Sequence, residues 1–202
     1  MLKNQIPGVN KMQSDILNNE LNLIKDEVIR NWTKVTLELV PEYFWVAQAS
    51  SSGKWHPECT NKKGGLITHV KRVVYLANRL CEGWGIFDYE RDIVISACIL
   101  HDIAKVPGTK VMHLYGMNVT SEDFYNHPLN ATNYFAKNCE LNAEPNETTI
   151  NIIQKCVAYH MGRWTPESIK KPIVNYSLME LVVYTCDYMA TTKELITPVD
   201  KE

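Results

Sequence analysis

The chain has 202 residues, a formal charge of −2, and 45% hydrophobic against 22% charged residues. That length suits one domain with room for a small appendage, and the apolar share is ample for a core. The near-neutral balance gives no support for nucleic-acid binding by bulk electrostatics, and the longest apolar runs are far too short to span a bilayer.

In chain order, residues 14–40 place Leu17, Leu21, Ile24, Val28, Trp32, Val35 and Leu39 at steps of three and four, which predicts one long amphipathic helix ending at Pro41. The short apolar run Tyr43–Val46 is expected to pack on the core. Residues 50–65, rich in Ser, Gly and Lys, read as a loop. From Leu66 the helical pattern returns. Leu66, Val70, Val73, Ala77 and Leu80 form one stripe, and His69 lies on the stripe beside it, facing inward, until Gly83 and Gly85 end the helix. Asp88 is the expected N-cap of a helix over 89–105, whose second half has no polar face until it meets His101-Asp102. Pro107-Gly108 should stop it. His127 precedes Pro128 and therefore belongs at a helix entrance, with the helix running from 128 to about 138. After a linker over 140–146, a helix over 147–161 carries His160 on the stripe of Ile150, Ile153 and Val157, with Gly162 as its C-cap. Thr165-Pro166 starts a short turn, and a last helix over 176–190 is apolar nearly all round except for Asp187. With no strand-like alternation and no repeat, the expected fold is all-α, a compact bundle of six or more helices.

The six cysteines, Cys59, Cys81, Cys98, Cys139, Cys156 and Cys186, are far apart and form no CxxC. They read as small hydrophobes in a reducing compartment rather than a disulfide framework. The N-terminus lacks an apolar stretch of signal length. A cytoplasmic protein is expected.

Four histidines on apolar faces or helix ends, His69, His101, His127 and His160, accompany two aspartates, Asp102 and Asp187, in segments that otherwise exclude charge. Burying such groups requires neutralisation, pairing or a cation. Few basic residues lie nearby to pair with them, whereas one divalent ion compensates several ligands at once. Mixed imidazole and carboxylate donors suit Fe, Mn, Co, Ni or Zn, and the lack of paired thiolates argues against a structural zinc finger. Lys105 follows His101 and Asp102 by one turn and shares their face. Arg72, one turn after His69, and Arg163, just after His160, are further candidates to meet a substrate. His56 and Trp55 lie in the long loop, which either covers the site or is an ordinary surface loop. His56-x-x-Cys59 has only half of a zinc-site spacing and is rejected as a second site; His113 is read as surface or second-shell.

The order His69, His101-Asp102, His127, His160, Asp187 resembles the H…HD…H…H…D pattern of the HD-domain superfamily of metal-dependent phosphohydrolases. Matching contexts are G-G-L-I-T-H, H-D-I-A-K, H-P-x-x-A from His127 and Y-T-C-D ending at Asp187. The resemblance covers about 64–190. It implies an HD-type bundle over 51–195 with residues 1–50 as a helical extension packed on the core. It also implies two divalent ions: His69, His101, Asp102 and Asp187 would hold one, His127 and His160 the second, with Asp102 bridging. The activity implied is hydrolysis of a phosphate ester or anhydride, of a nucleotide or related small molecule, by a metal-bound hydroxide. Asp102 and Lys105 carry the chemistry, and Lys105, Arg72, Arg163 and His56 meet the substrate. His160 stands without an adjacent histidine, no G-Y-P-type signature occurs, and no R-x-x-x-H precedes His69, which leaves the substrate class open. A minority of the superfamily uses the same ligands in a di-iron oxygenase, and a non-catalytic nucleotide-binding module is a third possibility.

Overall fold

A computed structural model describes residues 14–50, 53–54, 56–105, 125–139 and 145–201. Trp55, Pro107, Gly108 and His113 lie outside the described residues. Among those described there is no strand, and the helices form one bundle. No helix of it is long and apolar enough to cross a membrane.

The N-terminal segment corrects the sequence expectation. A 3-10 turn (Asp15–Leu17) and α1 (Asn18–Leu21) end in a break, and α2 starts afresh at Glu27–Glu38. Asp26 caps α2 by accepting from the backbone N–H groups of Val28 and Ile29. The break is held from far along the chain. Asp92 accepts the N–H groups of Lys25 (2.8 Å) and Asp26 (2.7 Å), and Arg91 donates to the Leu23 carbonyl (2.8 Å). The new start turns Ile29 and Trp32 inward and leaves Val28 exposed.

Helix α3 (Glu42–Val46) buries Tyr43, Phe44 and Trp45. Helix α4 (Gly65–Trp84) begins on two glycines with different jobs. Gly64 adopts φ 75, and a Cβ on Gly65 would lie 2.0 Å from the Thr60 carbonyl oxygen, so the preceding loop packs flush on the helix start. Gly85 at φ 72 caps α4, with Gly83 inside its last turn. Helix α5 (Asp88–Leu100) is buried from Asp92 onward. Asp88 is its first residue, at φ 49, and Phe87 occupies the capping position; the expected Asp88 cap is not formed. The helix also ends at Leu100, and residues 101–104 are turn.

Helix α6 (His127–Cys139) starts at the expected His-Pro. Helix α7 (Glu147–Tyr159) is capped by the Asn146 side chain, and His160 is its C-cap residue. Helix α8 (Leu178–Ala190) opens with a capping box between Ser177 and Glu180. Helices α4, α5, α7 and α8 pack on one another, α2 and α6 cover the α5 and α7 side, and a C-terminal 3-10 turn (Pro198–Lys201) packs on α4. One core joins Leu17, Trp32 and Phe44 of the N-terminal segment to Val70, Val94, Ile153 and Val183. None of the six cysteines is in a disulfide; Cys81, Cys98, Cys156 and Cys186 are buried, Cys59 and Cys139 half-buried.

Candidate metal centre

Three of the four candidate histidines sit at helix ends: His101 just past α5, His127 at the start of α6, His160 just past α7. The last carbonyls of a helix lack intrahelical partners. His101 uses one of them, its Nδ1 donating to the Cys98 carbonyl at 2.7 Å, and His160 does the same toward Val157 at 2.6 Å. A carbonyl can only accept, so both Nδ1 atoms donate, and each ring when neutral turns its Nε2 lone pair inward. His69 enters from the second turn of α4, and Asp187 from the last turn of α8.

These six residues converge. His69 Nε2 is 2.9 Å from Asp187 Oδ1 and 3.4 Å from His101 Nε2. His127 Nε2 is 3.3 Å from His160 Nε2. Asp102 stands between the pairs. Its Oδ2 is 3.4 Å from His101 Nε2 and 3.9 Å from His69 Nε2, whereas its Oδ1 is 3.1 Å from His127 Nε2 and 3.6 Å from His160 Nε2. His69, His101 and Asp102 thus form one buried donor cluster, and Asp102, His127 and His160 a second. Asp187 is 19% exposed and lies 3.7 Å from His101 Nε2, beside the first cluster.

The electrostatics follow from burial and crowding. Burial pushes the His69 and His127 rings down, and the nearby carboxylates only partly offset it. At His101 burial also pushes down, but Asp102 and Asp187 outweigh it and the net shift is upward. Burial alone would raise both carboxyls. Lys105 and His101 overcome it at Asp102, and the His69 hydrogen bond with the His101 charge at Asp187, so both are held below their ordinary range.

Of the other candidates, Lys105 donates from Nζ to Asp102 Oδ2 at 2.8 Å. His56 is also at the site. Its ring packs edge-on against His69, centroids 5.3 Å apart, and burial, His69 and Lys105 together push it down to about 3. Its Nδ1 is buried with no hydrogen-bond partner. Arg163 is exposed, with its guanidinium 5.0 Å from the Trp164 ring centroid. Arg72 is a correction. It is fully buried, and its guanidinium serves Asp200 and the carbonyls of Ala190, Thr192 and Leu195, so it braces the C-terminal segment instead of reaching a substrate. Sequence reasoning missed Asp200 altogether; nothing near it in the chain marks it as a partner of Arg72 and Cys59.

The donor set fits divalent ions. The Nε2 of His101 faces oxygens of Asp102 and Asp187, and that of His160 faces an Asp102 oxygen and another imidazole. Lone pairs opposed in a buried space repel unless a proton or a metal ion lies among them, and one divalent ion serves several of them at once. Imidazole with carboxylate suits Fe, Mn, Co, Ni or Zn. A family model described as HD domain matches residues 66–192. No curated protein and no solved structure matches the chain.

Proposed function

Because the chain belongs to the HD-domain family, we propose that it is a metal-dependent phosphohydrolase cleaving a phosphate ester or anhydride of a nucleotide or related small molecule. The observation that carries this reading is Asp102, whose two oxygens face two separate imidazole pairs. One carboxylate can then serve two ions, the first with His69, His101 and Asp187, the second with His127 and His160.

Ions bound there supply a water acidic enough, with a pKa near ~7, to attack at neutral pH, and they screen the phosphoryl oxygens. The remaining work falls to the chain. Nδ1–H donation from His101 and His160 to helix-end carbonyls fixes both rings with Nε2 turned inward. Lys105, at the rim of the same cluster, offers its ammonium to a non-bridging phosphate oxygen. His56, neutral at working pH, offers a ring nitrogen on the His69 side without adding charge. Arg163 and Trp164 lie outside the cluster, where an exposed cation over an indole suits the far end of a nucleotide.

The di-iron oxygenase reading shares the ligand set; the Lys105 ammonium beside Asp102 tips the balance slightly toward an anionic substrate. The test is release of phosphate from a panel of phosphate esters and anhydrides in Mn, Co, Ni and Fe forms, with oxygen uptake followed in parallel. Metal-dependent release on at least one nucleotide is expected. No release in any form, or iron-dependent oxygen uptake without it, overturns the proposal.

A further inference from the structure

The half-buried His56 ring packs edge-on against His69, and its Nδ1 is buried without a hydrogen-bond partner among the described residues. Desolvating an imidazole is unfavourable and nothing bonded to Nδ1 offsets it. Its position must therefore be imposed by the loop that carries it. That loop is anchored at its far end. Asn61 Nδ2 donates to the His56 carbonyl at 3.0 Å, Thr60 Oγ1 donates to the Pro57 carbonyl at 2.9 Å, and Thr60 lies flush on Gly65. In the 3-10 turn Glu58–Thr60, Cys59 Sγ donates to Asp200 Oδ1 at 3.2 Å. The same carboxylate takes the Arg72 guanidinium, and its Oδ2 takes the Thr197 N–H at 2.6 Å. Arg72 sits on α4 one turn beyond His69. One carboxylate thus joins the C-terminal turn, the His56 loop and the helix that presents His69.

We propose that Asp200 is a positioning residue: by tying the C-terminal turn to the loop over 56–61, it holds His56 against His69 at the mouth of the metal centre. Its consequence for substrate rests on the reading of His56 as a substrate contact; its structural part does not. The node acts at a distance, since Asp200 accepts from Arg72, Cys59 and Thr197 and not from the metal-site histidines. Losing it frees the loop while leaving the six metal-site residues where the helices and their end turns hold them.

The test is carbethoxylation of the full-length, manganese-loaded protein with diethyl pyrocarbonate, read histidine by histidine by mass spectrometry. His56 of the wild type is modified slowly. Asp200→Ala raises the His56 rate about tenfold, the scale of one lost charge-assisted hydrogen bond, and leaves His101 and His160 unchanged. An unchanged His56 rate in a variant with native circular dichroism and metal content overturns the proposal. If Asp200→Ala fails to fold, Cys59→Ala decides, because it keeps the Arg72–Asp200 pair: a faster His56 rate supports the node and an unchanged one removes it. In kinetics, Asp200→Ala raises KM in the wild-type background but not in a His56→Ala background; additive effects overturn the proposal. A wild type that releases no phosphate removes the hydrolase reading alone, since the modification experiment still decides the role of Asp200.

Discussion

At the scale of single residues, Asp102 and Lys105 make separable contributions. Asp102 faces both imidazole pairs, so Asp102→Asn, which keeps the shape and removes the charge, should lower metal affinity by at least about a hundredfold and abolish turnover. Among the described residues Lys105 pairs with Asp102 at the rim of the cluster, so Lys105→Ala should keep its metal and lose about 10²–10³ in kcat, the usual loss for one charge-stabilising donor. Elemental analysis beside steady-state kinetics reads both; a fully active Lys105→Ala would refute the phosphate role. Most of the residues brought together at the centre were legible because they interrupt an apolar helical pattern, where a polar side chain needs a reason, and His127 was marked instead by the proline after it. Arg72 shows where that logic stops. Its spacing from His69 suggested the substrate, but its partner is Asp200, 128 residues on, and local periodicity carries no trace of that. His56 was left between a cover for the site and an ordinary loop, because a loop without periodicity does not say where it folds back.

At the scale of elements, helix existence was legible and helix limits were not. The predicted helix over 14–40 is broken at 22–26 because Asp92 and Arg91 of α5 capture the backbone of Leu23, Lys25 and Asp26. A 3.6-residue pattern persists across such a break, so only the tertiary partner reveals it. Asp92 is 2% exposed. Asp92→Ala removes two charge-assisted hydrogen bonds that hold the half-buried break and should destabilise the protein by roughly 3 kcal/mol, read from urea unfolding. A loss within about 0.5 kcal/mol, the usual range for surface substitutions, would show that the break forms without it. The start of α8 could have been read more closely: Ser177-x-x-Glu180 is a capping box, and it places the helix start at Leu178, two residues after the expected Tyr176.

At the scale of the whole molecule, the cost of gathering these groups appears as a pH dependence of stability. His56, His69 and His127 are held below 6.5 in the folded chain. Below 6.5 the unfolded chain therefore binds more protons, and their effect lowers stability as pH falls. His101 is raised and works in the opposite sense, adding stability below 6.5 that is lost as pH rises through its folded value. Asp102 and Asp187 are depressed, so their contribution is present above 3.8 and lost as pH falls further. His56, pushed down to about 3, with His69 and His127 shifted the same way, sets the expected sign, so chelator-treated protein should melt at lower temperature at about pH 5 than at about pH 7. Added Mn should raise the melting temperature at about pH 7 and much less at about pH 5, where protons compete for the ring nitrogens. The most direct test of the central claim, that cations draw these helix ends together, is equilibrium metal binding to chelator-stripped protein. The expected result is two ions per chain in the wild type, one when His127 and His160 are both changed to Ala, and a collapse of affinity in Asp102→Ala. Metal binding of equal stoichiometry and affinity in Asp102→Ala would contradict the account.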